Sequence, residues 1–300
     1  MLYRIVSPWT AHAAQLESAL QEARFVECSG SQEKSLGWVE PRGAAHGPLL
    51  EVVGGQWIVK LMTEVKIIPA SVVKRRADAQ LQQIVTATGR KPGKKEARDI
   101  REDARLALLP LAFTKQASTL VWIDPQAQML VLDAGSQAKA DEVMTSLIKA
   151  IDGLAVQLID TQTSPAVAMA QWLSSKEAPG GFSVDRECEL KAADESKAVV
   201  RYTRHALDTE EVTQHIAMGK MPTRLAMTWN DHVSFVLTEA LQLKKVAVLD
   251  AVLEAAASLA TGGRDDHFDA DVAIATGELQ KLIPDLIEAL GGEQKQALPV

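Results

Sequence analysis

The chain reads as an α+β protein, with mixed antiparallel sheets, helices among them, and one pair of helices set apart as a projecting hairpin. Three observations lead there. Runs with period-two apolar spacing alternate irregularly with runs of helical spacing, which is not the regular β-α-β order of a parallel fold. Turn residues such as Gly54-Gly55, Pro125-Gln126 and Asn230-Asp231 separate neighbouring strand-like runs by hairpin-sized gaps. Residues 70–113 then interrupt two such runs with a basic segment of helical periodicity.

LYRIV (Leu2–Val6) is strand-like, a helix is expected from about Thr10 to Ala23, and RFVEC (Arg24–Cys28) and LGWVE (Leu36–Glu40) read as further strands. LLEVV and QWIVKLMTEVKIIP flank Gly54-Gly55, a pair that accepts positive φ in a tight turn. After Pro69 the period changes. Ser71 is a candidate N-cap, and Val73, Ala77, Leu81 and Ile84 recur on one helical face as far as about Ala87. Gly89, Pro92 and Gly93 break that helix, and a second is expected over Lys94–Leu109. At about 100° per residue, Arg98, Arg101 and Arg105 fall within about 40° of Lys94 as a basic stripe. Ala97, Ile100, Ala104 and Leu108 form a separate apolar arc. Arg98–Glu102 and Lys95–Asp99 have i, i+4 spacing, so part of this charge could equally serve a solvated surface.

TLVWID and MLVLDA form the next hairpin, a helix spans Ser136 to about Ile151, and VQLID resumes strand character. Ser164-Pro165 is an N-cap followed by proline at the first helical position, opening a helix to Ser175. APGG (Ala178–Gly181) marks a boundary. AVVRYTRHAL alternates as a strand, and Asp208–Glu211 has capping-box spacing for a helix closing at Gly219. LAMTW and VSFVL pair about Asn230-Asp231, LKKVAVLD extends their sheet, and AVLEAAASLA reads as a helix. HFDADVAIAT is expected as a strand, and GELQKLIPDLIEALGG as a terminal helix that Pro284 could kink. The division expected is a central or base portion (1–69 with 114–178), a helical tip (70–113) and a second α+β portion (179–300).

A chain of 300 residues, 47% of them hydrophobic, can bury a sizeable core. Its longest apolar candidate, Val246–Ala260, is broken by Asp250 and Glu254, so no membrane span is expected, and MLYRIVSPW at the start lacks a charged n-region before an apolar h-region, so no secretory leader is expected. Cys28 and Cys188 stand far apart without metal-ligand spacing, which favours a reducing cytoplasm and no structural zinc. The net charge of −7 argues at first against a polyanionic partner. Its distribution reverses that inference. From Lys60 to Lys115 thirteen bases face six acids, so this stretch is +7 in an acidic chain.

GRKPGKK is not a phosphate-cradling P-loop, because three residues rather than four separate Gly89 from Gly93, and Lys95 precedes Glu96 instead of a hydroxyl residue. A basic tip carrying Arg90, Lys91, Lys94 and Lys95 is the better reading, with Lys74, Arg75, Arg76, Arg98 and Arg101 beside it. Asp265, Asp266, His267, Asp269 and Asp271 are the most metal-like cluster. On a strand Asp269 and Asp271 would share a face and could hold a divalent cation, as a nuclease requires; the alternative is an acidic loop entering a strand. His205 and His215 lack zincin spacing, and no GxSxG elbow is present. Arg201 and Arg204 would point to opposite faces of one strand, so that if one lines a positive groove the other pairs with an acid. With only 4% aromatic residues, phosphate contact suits the composition better than base stacking. No cofactor is expected.

KIIPASVVK (Lys66–Lys74), LLPLAF (Leu108–Phe113), VWID (Val121–Asp124), FDADVAIATGEL (Phe268–Leu279) and LIEALGGE (Leu286–Glu293), with CSGSQ and GWVEP near the start, occur in an order that resembles the recombination-associated RdgC family nearly end to end. The resemblance implies a bacterial, nucleoid-associated, non-enzymatic protein whose two subunits close into a ring around double-stranded DNA. Single-stranded DNA is a further possible ligand. It also implies little sequence preference and antagonism of the RecA recombinase by occupation of DNA. The helical hairpin would meet its counterpart across the ring, with Phe113 and Leu111 in that gate and with Lys115, Arg204 and His205 lining the hole. Two positions depart from the family pattern, which has arginine where this chain has Leu111 and an amide where it has His205. A metal-dependent nuclease using Asp269 and Asp271, and a scaffold acting directly on the recombinase, are the competing readings.

Overall fold

The computed structural model describes residues 1–7, 12–250, 252–253 and 264–294. Its first sheet contains β1 (Leu2–Ile5), β2 (Lys34–Val39), β3 (Leu50–Val53), β4 (Gln56–Ile67), β5 (Phe113–Asp124), β6 (Met129–Leu132) and β7 (Val156–Leu158), in the order β2-β4-β5-β6-β1-β7, with β3 also on β4. The second contains β8 (Phe182–Ala192), β9 (Val199–Thr203), β10 (Lys220–Trp229), β11 (Val233–Thr238) and β12 (Leu243–Val248), in the order β12-β11-β10-β8-β9. All strand ladders in both sheets are antiparallel. Around them lie α1 (Ala13–Glu22), α2 (Ala70–Thr88), α3 (Lys94–Leu106), α4 (Gln137–Ala150), α5 (Pro165–Ser175), α6 (Glu210–Ala217) and α7 (Arg264–Ala289). The α+β class expected from the sequence is the one observed.

Period-two alternation sorts the first sheet's side chains between two cores. Tyr3, Trp57, Val59, Val121, Ile123 and Leu130 face one way and are buried with Leu16 and Leu20 of α1 and with Val143 and Leu147 of α4. Their neighbours Leu2, Ile58, Trp122 and Met129 face the other way, into a core shared with α5, α7 and the second sheet. The first sheet is therefore covered on both faces over its central portion. At the outer ends of β4 and β5 the cover stops, and Val65, Ile67 and Phe113 are exposed.

Several expectations need correction. RFVEC is no ladder strand: Arg24 makes one isolated bridge to Trp38, and Phe25 N–H donates to the Trp38 carbonyl at 2.9 Å. Gly37 permits that approach, since a Cβ there would lie 2.3 Å from Phe25 Cα. β8 escaped the sequence reading because Asp185, Arg186, Glu187 and Glu189 dilute the alternation of Phe182, Cys188 and Leu190. β5 begins six residues before TLVWID, at Phe113, because its exposed half carries no apolar pattern. α2 starts at Ala70 with Pro69 rather than Ser71 at its N-cap, and α6 starts at Glu210 with Thr209 rather than Asp208.

HFDADVAIAT is helical, not a strand. It is the first half of α7, where Phe268, Val272, Leu279, Leu282, Ile283 and Leu286 follow helical spacing into the shared core. Pro284 lies inside this helix. The expected helix at 251–260 and the start of the first helix at Thr10 lie outside the described residues. Both cysteines are free, with Cys188 buried. Among the described residues no helix is long and apolar enough to cross a membrane.

Candidate nucleic-acid interface

The basic segment forms α2 and α3, joined through Gly89, which caps α2 in the left-handed conformation (φ 65°), and Gly93, which precedes α3. Val73, Ala77 and Ala104 are buried between the two helices, with Ile68, Ile100 and Leu108 packed alongside. Small residues at Ala77 and Ala104 let the backbones approach. That packing turns the charged positions outward, and Lys74, Arg75, Arg76, Lys91, Lys94, Lys95, Arg98 and Arg101 are all exposed.

The ion pairs separate these cations into two groups. Arg90 is held by Glu96 in a two-pronged contact of 3.0 and 3.0 Å, and Arg105 is held by Glu33 at 2.6 Å and Glu102 at 3.8 Å. Lys74, Arg75, Arg76, Lys91, Lys94, Lys95, Arg98 and Arg101 have no carboxylate within 4 Å among the described residues. Neither i, i+4 pair suggested by the sequence, Arg98–Glu102 nor Lys95–Asp99, is closed.

At the base of this pair a short 3₁₀ turn, Leu109–Leu111, leads into β5. Leu111 is 76% exposed and Phe113 85% exposed. Opposite residues of an antiparallel ladder share a face, so Phe113 stands beside Ile67 and Lys115 beside Val65. Sequence reasoning missed Val65, Ile67 and Leu106 as further exposed apolar positions there. The available signal was KLMTEVKII, whose alternation runs past the sheet's helical cover.

Arg204 and His205 lie apart from this group, on the second sheet. β9 ends at Thr203, so the expected strand through Arg204 is shorter, and Arg204 takes a left-handed φ of 56° in the turn after it. Arg201 is paired with Glu189 at 2.6 Å, while Arg204 has no such partner among the described residues. His205 Nδ1 lies 2.6 Å from the Ala206 carbonyl, and its ring centroid is 5.5 Å from that of buried Tyr202. Tyr202 donates to Glu211 at 3.1 Å; burial first, then that carboxylate, pushes its hydroxyl up to about 12.

The acidic pair proposed for a metal does not form. One turn of α-helix takes 3.6 residues, so Asp269 and Asp271 diverge by about 160° around α7. Asp269 is instead bound at 2.5 Å by Arg42, which also bonds Glu51 at 2.9 Å and lies 4.6 Å from the centre of the Phe268 ring. Among the described residues no group of three or more potential ligands could hold a metal ion.

The family model described as "Putative exonuclease, RdgC" matches residues 1–293. This chain belongs to the RdgC family. The recombination-associated protein RdgC of Dechloromonas aromatica (strain RCB) is 44% identical over 299 residues, covering 99% of this chain and 97% of that protein. Its counterparts in Herminiimonas arsenicoxydans and Cupriavidus pinatubonensis (strain JMP 134 / LMG 1197) are each 45% identical, covering 98% of this chain and 97% of their own lengths. At this coverage the RdgC likeness spans both sheets, the α2–α3 segment and α7 together. The family is thus linked by name to recombination, and by its model's description to exonuclease activity.

Proposed function

We propose that this member of the RdgC family is a non-catalytic, sequence-independent DNA-binding protein, a dimeric ring around duplex DNA that restrains RecA-mediated recombination. The observation that carries the reading is the set of exposed cations on α2 and α3 that have no ion-pair partner among the described residues, in an otherwise acidic chain. Lysine and arginine in that state neutralise phosphates and release counterions without reading bases. Encirclement limits escape, so few contacts are needed, and acidic outer surfaces do not oppose it.

In this reading α2 and α3 project as the tip of each subunit, with Phe113 and Leu111 in the gate and Lys115, Arg204 and His205 along the hole. RecA is restrained because the DNA it would coat is occupied. The deciding experiment is retention on covalently closed circular DNA against the same DNA linearised, at moderate salt. A ring slips from free ends and persists on circles, whereas equal loss from both removes encirclement. Inhibition of RecA that survives saturating excess DNA would instead favour a scaffold contacting the recombinase.

The family model's description favours a second reading, an exonuclease. The divergence of Asp269 and Asp271 removes the pair first considered for it. Incubating end-labelled linear duplex with magnesium or manganese separates the two, since progressive loss of label establishes degradation.

A further inference from the structure

We infer that the cleft between the C-terminal end of α5 and β8 is a binding site for one nucleotide of single-stranded DNA, with its base in the cleft and its phosphate on Arg186. The inference rests on the DNA-binding reading and names a ligand for a site that reading does not use. The cleft has a volume of about 460 Å³, within the range of small-ligand sites. Its floor is apolar, formed by Trp172, Leu173, Phe182 and Leu207.

The charged rim is not uniformly occupied. Lys176 is engaged by Glu210 at 3.0 Å, and Asp185 accepts from Thr228 Oγ1 at 3.2 and 3.0 Å. Arg186 and Asp208 also line the cleft and are exposed, and their side chains have no hydrogen-bond or ion-pair partner among the described residues. An open guanidinium and an open carboxylate above an apolar floor match a flat heterocycle with N–H donors at its edge and a phosphate attached. A carboxylate accepts from base amino groups, and arginine takes the phosphate.

The position of the cleft ties it to the backbone track. His205 N–H donates to the Arg186 carbonyl at 3.2 Å, so Arg204, which has no ion-pair partner among the described residues, stands in the turn adjoining Arg186. A duplex would have to unpair and extrude a base to use the cleft. Single strands already present theirs.

The test uses the full chain and a 20-nucleotide single strand carrying one 5-iodo-deoxyuridine, irradiated and mapped by peptide sequencing, beside affinity for closed circular duplex. Crosslinks within 172–186 are expected. Ala206→Trp, which fills the mouth, should abolish them and weaken single-strand binding about tenfold, the scale of one lost base contact, with duplex affinity held within about twofold. Arg186→Glu at an exposed position checks the same arm should the first variant fold poorly. Crosslinks confined elsewhere, or single-strand affinity unmoved in Arg186→Glu, overturn the site while duplex binding stands. A wild-type chain that binds no DNA overturns the site and the DNA-binding reading together.

Discussion

Phe113 stands directly across the β4–β5 ladder from Ile67, and both side chains are exposed, at 85% and 48%. Two neighbouring apolar groups left in water beside a strand end are a surface that association would cover. Phe113→Ala removes nothing from the buried core. It should therefore leave the melting temperature within about 2 °C while shifting the protein towards monomer in sedimentation, since aromatic anchors contribute about 2 kcal/mol or more to an interface. An unchanged sedimentation profile would show that this patch is not part of the contact.

The unpaired state of Arg98 and Arg101 predicts a specific salt signature. Each phosphate contact contributes about −0.9 to the slope of log affinity against log salt on duplex DNA. Arg98→Glu with Arg101→Glu should weaken duplex binding at every base sequence and flatten that slope by about two. Arg90→Ala should do less, because Glu96 already holds Arg90. Titration at several salt concentrations decides this, and an unaltered slope would take the α3 stripe out of the interface.

The elements legible in the sequence were those whose environment is simple. Trp57 to Leu61 and Val121 to Ile123 lie in strands covered on both faces, so their apolar character shows directly. HFDADVAIAT misled because Phe268, Asp269, Ala270, Asp271 and Val272 also satisfy a two-residue period, and only the continuation of core positions through Leu279, Leu282, Ile283 and Leu286 at helical spacing selects the helix. β8 was hidden because its acids are held by residues distant in sequence, Glu189 by Arg201 and Thr223, and Asp185 by Thr228. The basic site was legible as charge. Which of its cations are already paired was not, since Glu33 reaches Arg105 from a loop seventy-two residues earlier.

Glu278 gives the fold a dependence on acid. It is buried on α7, where burial by itself would raise its carboxyl, yet His232 at 2.8 Å and Lys281 at 3.2 Å hold it below the usual range. A carboxyl depressed by folding contributes stability that is present above its unfolded value and is lost as pH falls below it. Glu278→Gln should cost about 1–2 kcal/mol at neutral pH and lessen the destabilisation seen on acidification below about pH 4.5. Denaturant melts of both proteins at pH 7 and pH 4 test it; parallel losses on acidification would mean that Glu278 does not contribute.

Among the described glycines, the one with least room for a side chain is Gly37, where β2 passes the segment following α1. A methyl group there would meet Phe25 Cα at 2.3 Å and Phe25 N at 2.5 Å, and backbone atoms cannot rotate away as a flexible side chain can. The strain would fall on the hydrogen bonds that Trp38 makes on either side, from Phe25 N–H to its carbonyl and from its own N–H to Ala23. Trp38 is among the largest fully buried side chains, so a shift there disturbs the α1–α4 core. Gly37→Ala should therefore destabilise by about 2–3 kcal/mol, the range of an overpacked site, whereas Gly30→Ala, with open space around it, should stay within about 0.5 kcal/mol. Equal chemical-denaturation midpoints for the two variants would show that β2 and the segment after α1 can separate freely.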